Sequence, residues 1–429
     1  MLAGQPVNEG ATMRPMFRTG IRLLAAGMVA AGFGSAAHAD DWLQWRGPDR
    51  AGISTETGLL DEWPPEGPAV NWQIETLGHG YGTVVVEGDA IYVQGTRDGQ
   101  SAVFRLRAGD GAEVWIRKLG PLYDHPDRGD GPRSVPTIHG DSLFVLNGMG
   151  EAAKIAKDSG EVDWQFNMLE RFGSPNTRWG ISESPLVVRD RVFVMPGGRD
   201  GAIAALSTAD GSTIWRSSEL GDVASYSSLI LREIGGTEVL LGFTGEAGVG
   251  VRADDGKLLW RYERPSTQNA INITTPVLED NMVFYTASYG VGGGALAITA
   301  EDEGGSFHSE EAYFGTRLQN HHGGVVAHEG TLYSFFGPAL TAVDAKTGEV
   351  HWRARSVGKG SLVMADGKLF MLSERNRVGL AVATPEGYEE RGLFEIEKRG
   401  GPTWAHPVVA NGAFYIRDQE SLTSYDVAK

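Results

Sequence analysis

Ala108–Trp115 reads AGDGAEVW, and four later stretches repeat its plan: AKDSGEVDW at Ala156–Trp164, STADGSTIW at Ser207–Trp215, ADDGKLLW at Ala253–Trp260 and VDAKTGEVHW at Val343–Trp352. A sixth, PPEGPAVNW at Pro64–Trp72, keeps only the Gly and Trp end. The Trp positions 72, 115, 164, 215 and 260 fall about 43 to 51 residues apart, and Trp352 lies about two such periods further on. A period of that length marks a solenoid or a propeller.

The phrase has a physical reading. An Asp followed by Gly is expected to close a tight hairpin, the carboxylate bonding nearby backbone N–H groups and Gly taking a positive φ. The Trp then starts a strand, large enough to fill the wedge between neighbouring sheets, with an indole N–H that can reach a carbonyl. Two β-like runs precede the phrases, as in Thr83–Val86 and Ala90–Gln94, Thr137–His139 and Ser142–Leu146, Pro185–Val188 and Arg191–Met195, and Pro276–Leu278 and Met282–Thr286. Four short strands with Gly and Asp turns make one propeller blade.

The degenerate stretches complete the count. Between Trp260 and Trp352, Tyr313 stands where a Trp is missing; after Trp352, Phe394 takes that role. The last piece, Pro407–Val409, Ala413–Ile416 and Leu422–Asp426, has three strands, and Ala69–Ile74 supplies only a Trp strand. Joining them makes one blade from both chain ends and protects the sheet edges a linear array would leave open. The expected fold is all-β, an eight-bladed β-propeller of four-stranded antiparallel blades. Seven blades is the alternative, if one degenerate stretch is an insertion. Residues 69–429 form the propeller in this reading. Residues 40–68, with Trp42, Trp45 and Arg46-Gly47-Pro48, form a lead-in that packs as a plug across one face.

Residues 1–39 read as a secretory signal. Arg14, Arg18 and Arg22 precede an apolar stretch, Leu23 to Phe33, and Ala37-His38-Ala39 offers a cleavage site before Asp40. That stretch is shorter than the ~20 residues needed to span a bilayer. A periplasmic or secreted protein without stable membrane insertion is expected. The chain has no Cys, so its stability would rest on the core and on ring closure rather than disulfides. Its formal charge is −17, and opposes partners that need a basic patch, such as nucleic acid. Glu301-Asp302-Glu303, followed by two Gly, reads as a solvated loop.

The phrase A-x-D-x-x-T-G-x-x-x-W, recurring over about residues 63 to 427, resembles the PQQ-type propeller repeat. Quinoprotein alcohol dehydrogenases and the propeller lipoprotein of the outer-membrane β-barrel assembly machine share that repeat. Asp41–Ser54 (DWLQWRGPDRAGIS), Gly129–Pro136 (GDGPRSVP), Trp179–Pro185 (WGISESP) and Asn320–Gly324 (NHHGG) further resemble a subgroup of exported PQQ-binding-like propellers. The resemblance implies a possible PQQ cofactor with Ca²⁺ in the funnel. The dehydrogenases also use a lid made by a disulfide of adjacent cysteines, which a chain without Cys cannot form, and the lipoprotein needs a lipidated Cys. The repeat itself specifies fold, and function must be argued from a site.

Propeller ligands commonly sit where the innermost strands open at the channel mouth. Aligning those strands on the aromatic of the following strand (Tyr92, Phe144, Phe193, Phe284, Tyr333, Phe370, Tyr415) places Tyr81, Arg133, Ser182, Tyr226, Ile273, His322, Lys359 and Trp404 at one level. His79, Glu183, Asn272, His321 and His406 are their neighbours. Such a mouth suits an anionic or carbonyl-bearing ligand: Arg133 and Lys359 supply charge, Trp404 and Tyr81 stack, and His322 serves proton transfer. The bland alternative is that strand entries are loop-like, and loops are polar anyway.

The pair His321-His322 is the sharpest local signal and a candidate for metal. Adjacent residues on a strand point to opposite faces, so one ion would need a bulge, which Gly323-Gly324 could supply. His79 and His406 are the aligned candidates for further ligands. Otherwise one His faces the channel and the other bonds backbone. Trp179 with Glu183 reads as a blade-packing Trp and a loop Glu, and Gly292-Gly293-Gly294 as a turn without the Lys or helix of a phosphate loop. No nucleophile elbow is present, so a hydrolase is not expected. The sequence supports a monomeric binding or scaffold module taking a small-molecule ligand or an envelope protein. The alternative is a quinoprotein-type oxidoreductase of alcohols or sugars. No catalytic constellation is assigned.

Overall fold

The computed structural model describes residues 41–125, 129–302, 305–397, 399 and 401–429; the expected signal segment, residues 1–39, and Glu303-Gly304 of the expected solvated loop lie outside them. Eight four-stranded antiparallel sheets make an eight-bladed propeller. Blade I runs Val85–Glu87, Ala90–Arg97, Gln100–Arg107 and Glu113–Pro121. Blades II to VII begin with Thr137–His139, Leu186–Val188, Ile230–Ile234, Val277–Glu279, Val325–His328 and Gly360–Ala365. These first strands lie against one another around the channel, and the fourth strands form the rim. Blade VIII consists of Val408–Ala410, Ala413–Asp418 and Ser421–Asp426, closed by Val70–Ile74 from the other chain end. The closing pair sets Trp72 opposite Ser424 and Ile74 opposite Leu422.

Seven of the eight blades bury an aromatic at one register position of the second strand; blade IV has Leu241 there. Tyr92, Phe144, Phe193, Phe284, Tyr333, Phe370 and Tyr415 are all 2% exposed or less. Six of them meet the aromatic of their own fourth strand, with centroids 5.9–6.3 Å apart, as in Tyr92–Trp115 and Phe193–Trp215. A register shift precedes that aromatic, leaving one unpaired residue, Val114 in blade I and Ile214 in blade III. Such a bulge increases twist and re-aims the following side chain into the wedge between blades.

The repeated Gly and Trp join different blades. Trp72 Nε1 donates to Ala108 O at 2.7 Å, Trp115 to Lys157 O at 3.1 Å, Trp164 to Thr208 O at 3.2 Å and Trp215 to Ala253 O at 3.1 Å, each in the next blade's phrase. Tyr313 donates its hydroxyl to Ala345 O at 3.1 Å, filling the Trp place in blade V. The phrase's Gly lies flat on the same ring. A Cβ on Gly111 would stand 2.7 Å from Trp72, and its φ of 70° independently requires Gly. The turn itself is wider than a two-residue hairpin. Gly111 N–H donates to Arg107 O, four residues back, while Asp110 accepts from Ala112 N–H at 3.0 Å.

Blade VII departs from the plan. Its register puts Gly392, opposite Leu380, where other blades carry Trp or, in blade V, Tyr313. Trp63 of the lead-in occupies the vacated wedge, its backbone N–H bonded to Arg391 O and its ring 5.7 Å from Phe370. Phe394, two residues on, still receives the phrase Gly of the next blade, Gly67. Gly292-Gly293-Gly294 opens the strand Gly292–Ala300 instead of forming a turn, because neighbouring backbone and Tyr262 leave no room there for side chains. The only helix among the described residues is Met168–Phe172, and no helix among them is long and apolar enough to cross a membrane.

Candidate functional site

The lead-in builds a floor across the channel. Trp42 pairs with Val86 of blade I and Ile53 with Met364 of blade VII. Between them Arg50, 1% exposed, donates to Ser184 O at 3.0 Å, Leu229 O at 2.9 Å and Gln44 Oε1 at 2.7 Å, and to Pro185 O. First strands open toward the axis with carbonyls that lack ladder partners, and a guanidinium has enough donors to satisfy several at once. Arg46 similarly bonds Ala51 O at 2.9 Å and Val325 O. Burial lowers Arg46 to about 10 and Arg50 to about 9, so both stay cationic at neutral pH.

Above this floor lies a cavity partly open to solvent. Tyr81, Arg133, Ser182, Tyr226, Ile273, His322 and Trp404 line it, seven of the eight residues aligned from sequence. Strand entries from successive blades thus converge on one volume. Lys359, the eighth, stands behind the wall. Its Nζ lies 2.9 Å from Glu374 Oε1 and 3.0 Å from His321 Nδ1, so its charge is engaged by a carboxylate.

Two aromatic pairs line the cavity. Tyr81 and Trp404 have centroids 5.0 Å apart, and Trp179 and Tyr226 5.6 Å. Trp179 is therefore a cavity wall rather than a blade-packing residue, since its own blade already has Trp215 in the wedge. Glu183 does lie in the loop before Leu186–Val188, but it is buried there: it is 1% exposed and accepts from Met195 N–H at 2.8 Å. Burial pushes its carboxyl up to about 8, against the opposing pull of Arg50. Arg133 sits over Tyr81 at 5.0 Å, a cation–π contact, and burial lowers its pKa. In the floor Trp45 packs on His406 at 4.6 Å and donates to Thr275 Oγ1 at 2.9 Å.

Glu374 organises the remaining wall. Its Oε1 accepts from His322 Nε2 at 2.8 Å, Lys359 Nζ at 2.9 Å and Trp404 Nε1 at 2.9 Å. Burial alone would raise this carboxyl; His322 and Lys359 outweigh it and hold the group well below the usual carboxylate range. Burial lowers His322, partly offset by Glu374, which leaves a neutral ring donating through Nε2. Both His321 and His322 line the cavity, with ring centroids 5.3 Å apart, because Asn320–Gly324 is a bent loop rather than a strand. His322 turns its ring to Glu374 rather than to backbone. His406 does bond backbone, at 2.7 Å from His322 O, and burial takes it down to about 3. His79 pairs with Asp130 at 2.5 Å, outside the cavity lining.

Glu374 escapes a reading by strand entries because it lies in the hairpin between the second and third strands of blade VII. Nothing in SERNR marks it in the sequence. Trp45 and Arg46 could be found as an aromatic and a cation outside every repeat.

A model of the family described as outer membrane protein assembly factor BamB, a PQQ-type repeat family, matches residues 99–306 and 306–389. The outer membrane protein assembly factor BamB of Yersinia pestis is 20% identical over 299 residues, 66% of this chain and 71% of its own length. The quinohemoprotein alcohol dehydrogenase of Comamonas testosteroni has a TM-score of 0.68 at 13% identity, covering 91% of this chain and 81% of that one. A europium-containing methanol dehydrogenase has a TM-score of 0.65 at 12% identity, covering 88% and 89%. At such identities the likeness to the two dehydrogenases is one of fold.

Proposed function

This chain belongs to the PQQ-type repeat family described as outer membrane protein assembly factor BamB, and on that premise we propose that it is an exported binding propeller whose cavity takes a flat, anionic small molecule. One observation supports the reading above others: the pairs Tyr81–Trp404 and Trp179–Tyr226 line one volume together with the cations Arg46 and Arg133. Flat apolar walls with a few fixed charges are the usual composition of a ligand pocket.

PQQ, a planar tricarboxylate quinone, matches that donor set. Ca²⁺ does not. It wants six to eight oxygen ligands, and no carboxylate is among the described residues that line the cavity; Glu374, behind its wall, already has one oxygen accepting from three N–H donors. PQQ would therefore bind without Ca²⁺, with Arg133 on its carboxylates and Trp404 on its face. Calorimetric titration with PQQ, with and without Ca²⁺, tests this. Binding that is indifferent to Ca²⁺ and at least tenfold weaker in Arg133→Ala is expected. No heat of binding, or an unchanged affinity in Arg133→Ala, removes the assignment. Dye-linked alcohol oxidation by the complex would add the quinoprotein reaction.

The outer rim favours a second role, docking an envelope protein. Val70, Val114, Val162, Ile214 and Val350 are 36–55% exposed, all on fourth strands just before the aromatic. A crosslinked envelope partner whose capture survives both Val114→Asp and Ile214→Asp would exclude that surface.

A further inference from the structure

We propose that His321, His322 and Glu374 form a site for a divalent transition ion of the zinc class, in which Lys359 is the resident cation that the metal displaces. The proposal stands apart from the small-molecule reading, because Glu374 and Lys359 lie behind the cavity wall and the three donors, two of them lining the cavity, do not depend on its ligand. Two imidazoles and one carboxylate are a recognised zinc donor set, with the fourth position left for water. Donors bound tetrahedrally at ~2.0–2.2 Å stand about 3.4 Å apart. Here His322 Nε2 is 2.8 Å and His321 Nδ1 4.0 Å from Glu374 Oε1, values that bracket that separation, and the three ligand atoms lie within 4.8 Å of one another.

A cation already sits among them. Lys359 Nζ is 3.0 Å from His321 Nδ1 and 2.9 Å from Glu374 Oε1. An ammonium can only donate, so His321 Nδ1 presents a bare lone pair, the form a metal requires. The ring proton is then on Nε2, which lies 2.9 Å from Tyr289 Oη and donates to it. A ligating His normally has such an outer partner fixing its tautomer. Trp404 Nε1, 2.9 Å from Glu374 Oε1, orients the carboxylate in the same way.

The backbone holds both rings on one side. Asn320 spans the loop, donating to Ser334 Oγ at 2.7 Å and accepting from Gly324 N–H at 3.2 Å. A Cβ on Gly323 would stand 1.9 Å from Gly360 O, so the turn that brings the two histidines together is available only to Gly. Metal binding requires His322 to move its proton from Nε2 to Nδ1, a buried nitrogen without a hydrogen-bond partner. Lys359, whose side chain is 38% exposed against 18% and 10% for the histidines, can swing outward with its charge intact.

Co²⁺ titration of the metal-free protein, followed by visible spectroscopy and Zn²⁺ competition, tests the site. Expected are d–d bands at one Co²⁺ per chain, lost on adding Zn²⁺. Affinity should rise at least tenfold in Lys359→Met and fall at least a hundredfold in both Glu374→Gln and His321→Gln. His321→Gln guards against misfolding of the Glu374 variant, and thermal melts of each verify the fold. Absence of bands in the wild type overturns the proposal even if Lys359→Met shows them, since the ammonium would then be the permanent occupant. Bands retained in either ligand variant overturn it too. Failure of PQQ to bind would leave these results unchanged.

Discussion

Trp115 and Trp404 are both half-buried indoles that donate one hydrogen bond, and they belong to different kinds of structure. Trp115 gives its proton to the backbone carbonyl of Lys157 in the next blade. Trp404 gives its proton to Glu374, a carboxylate shared with His322 and Lys359. The first arrangement recurs around the rim at Trp72, Trp164 and Trp215, because any residue has a carbonyl to offer. The second occurs once among the described residues, because it needs specific side chains from three blades. Repetition here marks architecture, and chemistry gathers where the repeat is abandoned.

The largest expected effect tests the rim at its closure. Trp72 is 9% exposed and is the seam between the chain ends. Trp72→Ala should lower unfolding free energy by about 3–5 kcal/mol in chemical denaturation, without changing cavity-ligand affinity. A loss below 1 kcal/mol would mean that ring closure does not depend on the aromatic wedge. Glu183, beneath the cavity, gives the next effect. Its pKa is raised from the ordinary glutamate value to about 8, so the folded state holds a proton that the unfolded chain has released. Its contribution is full in acid and declines with rising pH, by up to ~1.4 kcal/mol per unit, until it levels near pH 8. Glu183→Gln should therefore gain on the wild type across pH 5 to 8, by on the order of 2–3 kcal/mol. Parallel pH–stability curves would show that Arg50 keeps this carboxylate ionised.

What could be read from the chain follows the same division. The Gly–Trp spacing carried the blade count, the shared last blade and the role of Tyr313, since each is a local pattern repeated at a fixed period. Seven cavity residues were also within reach, because entry into a first strand is a repeat position even when its residue varies. Glu374 was not, because it sits in a hairpin that other blades use only as a turn. Trp63 was not, because it fills a wedge more than three hundred residues later in the chain, opposite a Gly that gives no sign of vacancy. Lys359 was aligned correctly yet turned to a carboxylate, since an unpaired ammonium near low-dielectric walls is costly.

A smaller effect separates the two functions of the phrase's Gly. Gly111 has both a positive φ and the face of Trp72 at contact distance, whereas Gly88 has a φ of 53° and open space around its Cβ position. Ala at position 88 should cost about 1 kcal/mol for backbone strain alone. Ala at position 111 should cost about 2 kcal/mol or more, as the indole is pushed from its wedge. Equal losses in thermal melts would assign the repeated Gly to the turn only.

The finest test makes one chemical change at both indoles. Trp115→Phe and Trp404→Phe each keep a ring and delete one N–H donor. Each should cost about 1 kcal/mol of stability, and in that readout the two sites look alike. They should part in binding. At the rim a lost donor leaves a carbonyl that solvent can reach, so cavity affinity stays within twofold. At the mouth Glu374 loses one of three donors while His322 and Lys359 keep theirs, so the carboxylate is free to turn and to carry the His322 ring with it. Metal affinity should fall several-fold in Trp404→Phe, as it does when an outer-shell partner is removed. If both variants bind alike, Trp404 is packing like its counterpart at the rim, and the distinction between repeated and unrepeated indoles is one of position only.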